Sequence, residues 1–244
     1  CVHNIDTVKV FINTLLKRFP NAKIIRMDLD TTIRKGSHEK IIESFKNHEY
    51  DILIGTQMIS KGLNFENVSL VGVINADASL NIPDFRSGER TFELLTQTAG
   101  RCARYNLPGE VIIQTYNKDN YVLDSVKKNS FIDFYNKEMQ IRKTLKYPPY
   151  FYITSIKIIS DEYEIAKNEA VKIKRNLDMK LSDNFIILGP STASVFKLKN
   201  KYYFQIIIKY KQEENLLNVL KEINDLYVTN KVKVDININP LSLL

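Results

Sequence analysis

Asp51-Ile52-Leu53-Ile54-Gly55-Thr56-Gln57-Met58-Ile59-Ser60-Lys61-Gly62-Leu63-Asn64-Phe65 is an apolar run that ends in glycine and opens into a polar turn. A short unbroken apolar segment suits a strand covered on both faces, as in parallel sheets. Such sheets hold their ligands at the carboxyl ends of strands. Here that end carries Thr56, the cation Lys61 and the backbone near Gly62. Taken alone, the block fits a phosphate-binding turn and a plain Thr-capped connection equally.

Outward from it the same arrangement repeats. A helical period runs over residues 5–19, and Lys23 to Met27 reads as a strand. Ser37 to Lys46 reads as a helix with Ser37 as N-cap. Val68 to Asn75 is nearly all apolar, as in a strand covered on both faces. A helix over Ser87 to Arg104 and a strand over Glu110 to Thr115 follow. Alternating strands and helices predict an α/β layer with parallel strands.

The pattern changes after about residue 117. Asn120 to Leu145 reads as mainly helical and stops at Tyr147-Pro148-Pro149, since proline cannot continue a helix. Beyond it come strand 152–159, helix 162–181, strands 185–188 and 202–209, helix 213–228 and strand 231–238. That order is βαββαβ, a smaller α+β domain of ferredoxin-like type. The expected domains are 1–118, a helical linker over 119–149, and 150–244.

The chain has 244 residues, a formal charge of +7 and a pI near 9.2, a sign that suits a polyanionic partner. Two cysteines, Cys1 and Cys102, cannot build a disulfide framework or a four-ligand zinc site, so a reducing cytoplasm is expected. No apolar run approaches the roughly 20 residues of a membrane span. The chain starts at Cys rather than Met, and a piece of a longer protein is expected.

Three further blocks carry chemistry. Arg26-Met27-Asp28-Leu29-Asp30-Thr31-Thr32 follows a strand and reads, by itself, as a polar loop. Asp77 through Asp84-Phe85-Arg86 to Glu89-Arg90 reads, by itself, as surface ion pairs and helix capping. Gln97-Thr98-Ala99-Gly100-Arg101-Cys102-Ala103-Arg104 puts two arginines three apart on one helical face, behind a glycine that permits close backbone approach. Guanidinium groups so presented suit a polyphosphate whose charge grows during phosphoryl transfer.

In this order the four blocks resemble the second RecA-like lobe of a superfamily 2 helicase. The stretches DILIGTQMISKG, PDFRSGERTFELLTQTAGR, GEVIIQTYN, Glu138 and Arg142 ahead of YPPY, GPSTASVFKLKNKYYFQIIIK and DININP are similar to the PriA family of primosomal replication-restart helicases. The resemblance implies a 3′→5′ ATP-dependent DNA helicase of which this chain is the C-terminal portion. Gln97, Gly100, Arg101 and Arg104 then match nucleotide-facing positions, with Arg101 and Arg104 catalytic and Arg104 the arginine finger. Asn64 stands where the family usually has Asp. Thr56, Gln57, Lys61 and Gly62 match the block that grips the single strand.

The resemblance further implies ATP with Mg²⁺, held mainly by a first lobe whose phosphate loop and DEAH box this sequence lacks. Alone, the segment should be inactive. Zn²⁺ is expected only in a part upstream, and no metal ligand within this chain. The last domain resembles a DNA-binding domain. Lys197, Lys199 and Lys201 alternate, so on an extended strand they share one face beside Tyr202. Implied partners are branched and single-stranded DNA, the single-strand-binding protein, and primosome or replicative-helicase-loading proteins. No membrane partner is expected, and the location is cytoplasmic and nucleoid-associated. Two rivals stand beside this: a non-catalytic fork-binding or scaffold module, and another superfamily 2 translocase.

Overall fold

A computed structural model describes residues 2–28, 31–32, 36–56, 59, 68–100, 109–213, 215–227 and 232–243, with side chains from residue 8 onward. The elements run α1 (Val2–Arg18), β1 (Ile24–Met27), α2 (Ser37–Lys46), β2 (Ile52–Gly55), β3 (Leu70–Val73), α3 (Asp77–Leu80), α4 (Ser87–Ala99), β4 (Glu110–Ile113), α5 (Tyr121–Lys127) and α6 (Phe131–Thr144). They continue as β5 (Tyr152–Ser160), α7 (Tyr163–Lys180), β6 (Ile186–Leu198), β7 (Lys201–Tyr210), α8 (Leu216–Tyr227) and β8 (Lys233–Ile238). The chain divides into two compact units, residues 1–77 with 90–129, and residues 78–89 with 130–244.

The first unit is α/β with parallel strands, as a RecA-like helicase lobe requires. β1 pairs with β2 and β3 with β4, both parallel. Met27 is fully buried against Ile41, Ile42 and Phe45 of α2 and against Leu53, Ile59 and Val68. The expected two-sided burial of the 68–75 run does not hold among the described residues. Leu70 and the facing-strand residue Ile112 stand 56% and 52% exposed. Exposure alternates along β3 and β4, so one face packs and the other is open. Ser37 is not the cap of α2 either. Gly36 takes that position at φ 83, and no side chain caps the helix.

The second unit is a four-stranded antiparallel sheet in the order β6-β7-β5-β8. With its two helices this is the ferredoxin-like arrangement. Ile156, Ile158, Phe204, Ile206 and Ile208 face Ala166, Ala170, Ile173 and Leu177 of α7 and Leu216, Val219, Leu220 and Ile223 of α8. The other face carries Ser155, Gln205 and Lys209, all buried. Gln205 donates to Ser155 Oγ (2.9 Å) and to the Leu243 carbonyl (3.0 Å). Lys209 donates to the Leu145 carbonyl (2.8 Å).

The helical reading of 120–145 holds with one refinement, and the end of β6 changes. The segment over 120–145 is two helices, broken at Asn129 (φ 49), with Ser130 capping α6 through its hydroxyl. β6 runs to Leu198 rather than ending at residue 188. It does so across a register shift between Leu188 and Ser191, at Gly189. Gly189 has φ +95, and a Cβ there would stand 2.7 Å from the Gln205 carbonyl, so only glycine fits the irregularity.

Candidate functional site

Thr56 follows β2 directly, and the pairing of Met27 with Gly55 puts it at the same sheet end as Asp28. Gly55 is required there, because a Cβ would stand 2.1 Å from the Met27 carbonyl. Thr56 is half-buried, and its carbonyl accepts the Ile59 N–H at 3.1 Å. Asp28 is buried, paired with Arg26, and closes the following turn by accepting the Thr31 N–H at 3.1 Å. Gln57, Lys61, Gly62 and Asn64 lie outside the described residues.

Gln97 and Gly100 sit at the carboxyl end of α4, both exposed. Phe92 and Leu95 bury the opposite stripe of the helix. A Cβ at Gly100 would meet Thr96 O at 3.4 Å and Gln97 O at 3.6 Å, the second an ordinary contact and the first at its near limit. Arg101 and Arg104 lie outside the described residues.

The three lysines of the second unit do not share one face. Lys197 ends in β6, Lys201 opens β7, and Lys199 with Asn200 forms the turn between them. Both turn residues have positive φ (49 and 60), as a two-residue hairpin of type I′ needs. The turn resets the period-2 count. Lys197 pairs opposite Tyr202, and Lys201 opposite Leu198, on the other face. Lys197 Nζ lies 3.1 Å from the Tyr202 hydroxyl and 4.8 Å from its ring centroid. Tyr202 in turn meets Phe196 and Tyr163 edge-on, at 5.4 and 5.8 Å. Phe196 is 44% exposed beside Lys197, an exposed ring that the alternating lysines gave reason to notice and that the sequence reading passed over.

A buried polar cluster in the second unit also went unassigned. Arg142, 8% exposed at its side chain, donates from Nε to Glu138 and from Nη2 to Glu89, each at 2.7 Å. Its guanidinium lies 5.6 Å from the Phe85 ring, which stacks on Tyr147 at 5.5 Å and 11°. Lys209 Nζ covers the Tyr147 ring at 3.6 Å. Burial alone would raise the Glu89 pKa, but the hydrogen bonds and charges of Arg86 and Arg142 outweigh it and hold it below the ordinary value. Burial would lower the Arg142 pKa, and the two glutamates instead raise it. Burial, with Lys146 nearby, lowers the Lys209 pKa. Burial raises that of Tyr147, helped by Asp84.

The segment from Asp77 to Glu89 is therefore more than surface pairs. Asp84 does cap the Arg86 N–H (2.8 Å), and Arg86 does pair with Glu89 (2.9 Å). Yet Asp84 is buried and accepts the Leu243 N–H at 3.1 Å and the Ser242 hydroxyl. Among the described residues, no three His, Cys, Asp or Glu gather as a metal ion would need. Nor is any described helix long and apolar enough to cross a membrane.

Residues 1–106 match the family described as helicase conserved C-terminal domain, and residues 143–241 match the primosomal protein N C-terminal domain. The chain is 45% identical over 234 residues to the replication restart protein PriA of Bacillus subtilis (strain 168), covering 94% of this chain and 29% of that protein. It is 42% identical to PriA of Borreliella burgdorferi (94% of this chain, 35% of that protein). Against PriA of Synechocystis sp. the identity is 37% (94% and 27%). The chain thus spans about a third of the length of the relatives it matches.

Proposed function

We propose that this chain, a C-terminal region of PriA type, supplies one side of the nucleotide cleft and part of the DNA grip of an ATP-dependent 3′→5′ superfamily 2 DNA helicase. The intact protein acts in replication restart and primosome assembly at stalled forks. The observation that carries the reading is the order of the two family matches along one chain, with α4 ending at Gln97 and Gly100 just before Arg101 and Arg104.

On this reading residues 1–118 form the second helicase lobe, 119–149 a linker and 150–244 the DNA-binding domain. ATP with Mg²⁺ is held mainly by the other lobe, and Zn²⁺ belongs to a segment upstream. Arg101 and Arg104 stabilise charge developing on the γ-phosphate, with Arg104 as the finger. Gln97 and Gly100 shape that surface, and Asn64 offers an amide to a ribose hydroxyl. Thr56, Gln57, Lys61 and Gly62 grip the strand backbone. Lys197, Lys199, Lys201 and Tyr202 meet DNA from both faces and the tip of a hairpin. Partners are branched and single-stranded DNA, the single-strand-binding protein and helicase-loading proteins, in the cytoplasm and at the nucleoid.

The test is Arg104→Ala in the intact protein. ATP turnover should fall by about 10³-fold or more, the scale of a lost arginine finger. Fork binding by fluorescence anisotropy should stay near wild type. Turnover close to wild type would remove Arg104 from this role. Residues 1–244 alone should show no magnesium-dependent ATPase.

A further inference from the structure

Lys146-Tyr147-Pro148-Pro149-Tyr150-Phe151-Tyr152 and Lys209-Tyr210-Lys211 interleave cations with aromatic rings, and both lie in the second unit. Folding brings the two stretches together. Tyr152 opens β5 and pairs with Tyr210, the last residue of β7, their rings 5.7 Å apart. Lys146 stands just past the end of α6. The Tyr147 N–H donates back to the Arg142 carbonyl (2.8 Å) and the Lys146 N–H to that of Lys143 (3.3 Å), with Lys146 at φ 56. Glycine ordinarily takes this left-handed position after a helix. A lysine there is conformationally unfavourable, and it places a cation at the corner.

Three ammonium groups converge on two rings. Lys146 Nζ lies 5.8 Å and Lys211 Nζ 5.2 Å from the Phe151 ring centroid, and Lys209 Nζ lies 3.6 Å from that of Tyr147. Lys209 is buried and donates to the Leu145 carbonyl, whereas Lys146 and Lys211 are exposed. Asp84 and Glu213 act on the neighbouring Tyr147 and Tyr210, but among the described residues no carboxylate pairs with any of the three lysines. Like charges gathered in this way repel one another, and an incoming anion relieves them. Tyr150 and Tyr152, on either side of Phe151 in the chain, are 38% and 52% exposed.

We propose that this corner is a second DNA contact of the unit, in which Lys146 and Lys211 pair with phosphates of a single strand and Tyr150 and Tyr152 stack its bases. Lys209 is a positioning residue, which holds the Tyr147 ring and touches no phosphate. The choice of DNA rests on the DNA-binding reading of this unit. Exposed rings beside cations favour a strand with flat bases over an acidic peptide, which brings carboxylates alone. The ten residues of β7 separate the corner from the Lys199 turn by roughly 30 Å, so the two contacts act independently.

The test uses the intact protein and a labelled oligo(dT), with affinity measured by fluorescence anisotropy across a salt series. Each phosphate contact on a single strand contributes about 0.7 to the slope of log affinity against log salt. Lys146→Gln with Lys211→Gln should therefore lower the slope by about 1.4 and weaken binding roughly 25-fold at about 0.1 M salt, scaled from about 1 M. Tyr150→Ala should weaken binding about 5-fold or more and leave the slope unchanged. Should it fail to fold, Tyr150→Leu removes the aromatic face, keeps the bulk and gives the same readout. Lys172→Gln with Lys180→Gln removes equal charge from α7, where each lysine pairs with a glutamate, and should leave the slope unchanged. An equal loss in that control would overturn the proposal, because net charge then accounts for the effect. An unchanged slope in the corner variant, with a reduced slope in Lys197→Gln with Lys201→Gln, would overturn the proposal and spare the DNA-binding reading. Unchanged slopes in both would overturn that reading and the proposal with it. Oligoglutamate binding that the corner variant loses, with oligo(dT) affinity intact, would overturn the proposal in favour of an acidic peptide.

Discussion

Arg142→Met keeps the stem of the side chain and deletes its guanidinium. The loss takes the guanidinium from Glu138, whose side chain is 4% exposed, and from Glu89, at 28%, which keeps its pair with Arg86. Two hydrogen bonds of 2.7 Å disappear, and the Phe85 ring loses the cation 5.6 Å above it. Removing one partner of a buried ion cluster costs about 3–5 kcal/mol, most of it the penalty of the uncompensated charge left behind. With a urea slope of about 1–3 kcal/mol per molar, the unfolding midpoint should drop by roughly 2 M. The chain has 13 tyrosines and no tryptophan, so near-ultraviolet circular dichroism of the tyrosines follows the transition. Adding Glu138→Leu to Arg142→Met should recover part of the loss, because it removes a buried carboxylate whose charge Arg142 no longer balances. A midpoint for Arg142→Met within about 0.3 M of wild type would refute the reasoning. So would a double variant as unstable as the sum of the singles.

Ile206 is fully buried and pairs across β5 with Ile156, so Ile206→Ala should cost about 2–5 kcal/mol in the same urea experiment. The ion cluster also predicts a pH dependence. Glu89 has a folded pKa below its ordinary 4.5, so its stabilisation is complete above 4.5 and fades as pH falls through the folded value. The difference in urea midpoint between wild type and Glu89→Gln should therefore be constant from pH 7 to about 5 and close at lower pH.

Local period made much of the fold legible. The parallel-strand alternation, the βαββαβ order and a helix opening at Ser87 all follow from spacing of apolar residues, which senses only near neighbours. The hairpin at Lys199 and Asn200 was missed for the same reason. A run of alternating lysines reads as one strand unless two residues take positive φ, and neither is glycine. Asp84 to Glu89 was misjudged because its partners are remote. Glu89 meets Arg142 at a separation of 53 residues, and Asp84 meets Leu243 at 159.

By itself, then, the sequence determined the order of motifs and with it the family resemblance, because both are written in adjacent residues. It also determined that Arg101 and Arg104 stand four and seven residues after Gln97 in one short motif. Only the tertiary structure decided what the helix opening at Ser87 is anchored to. Ion pairs and stacked rings form between whichever side chains folding brings together. No local pattern distinguishes a Glu that meets solvent from one that meets a buried arginine.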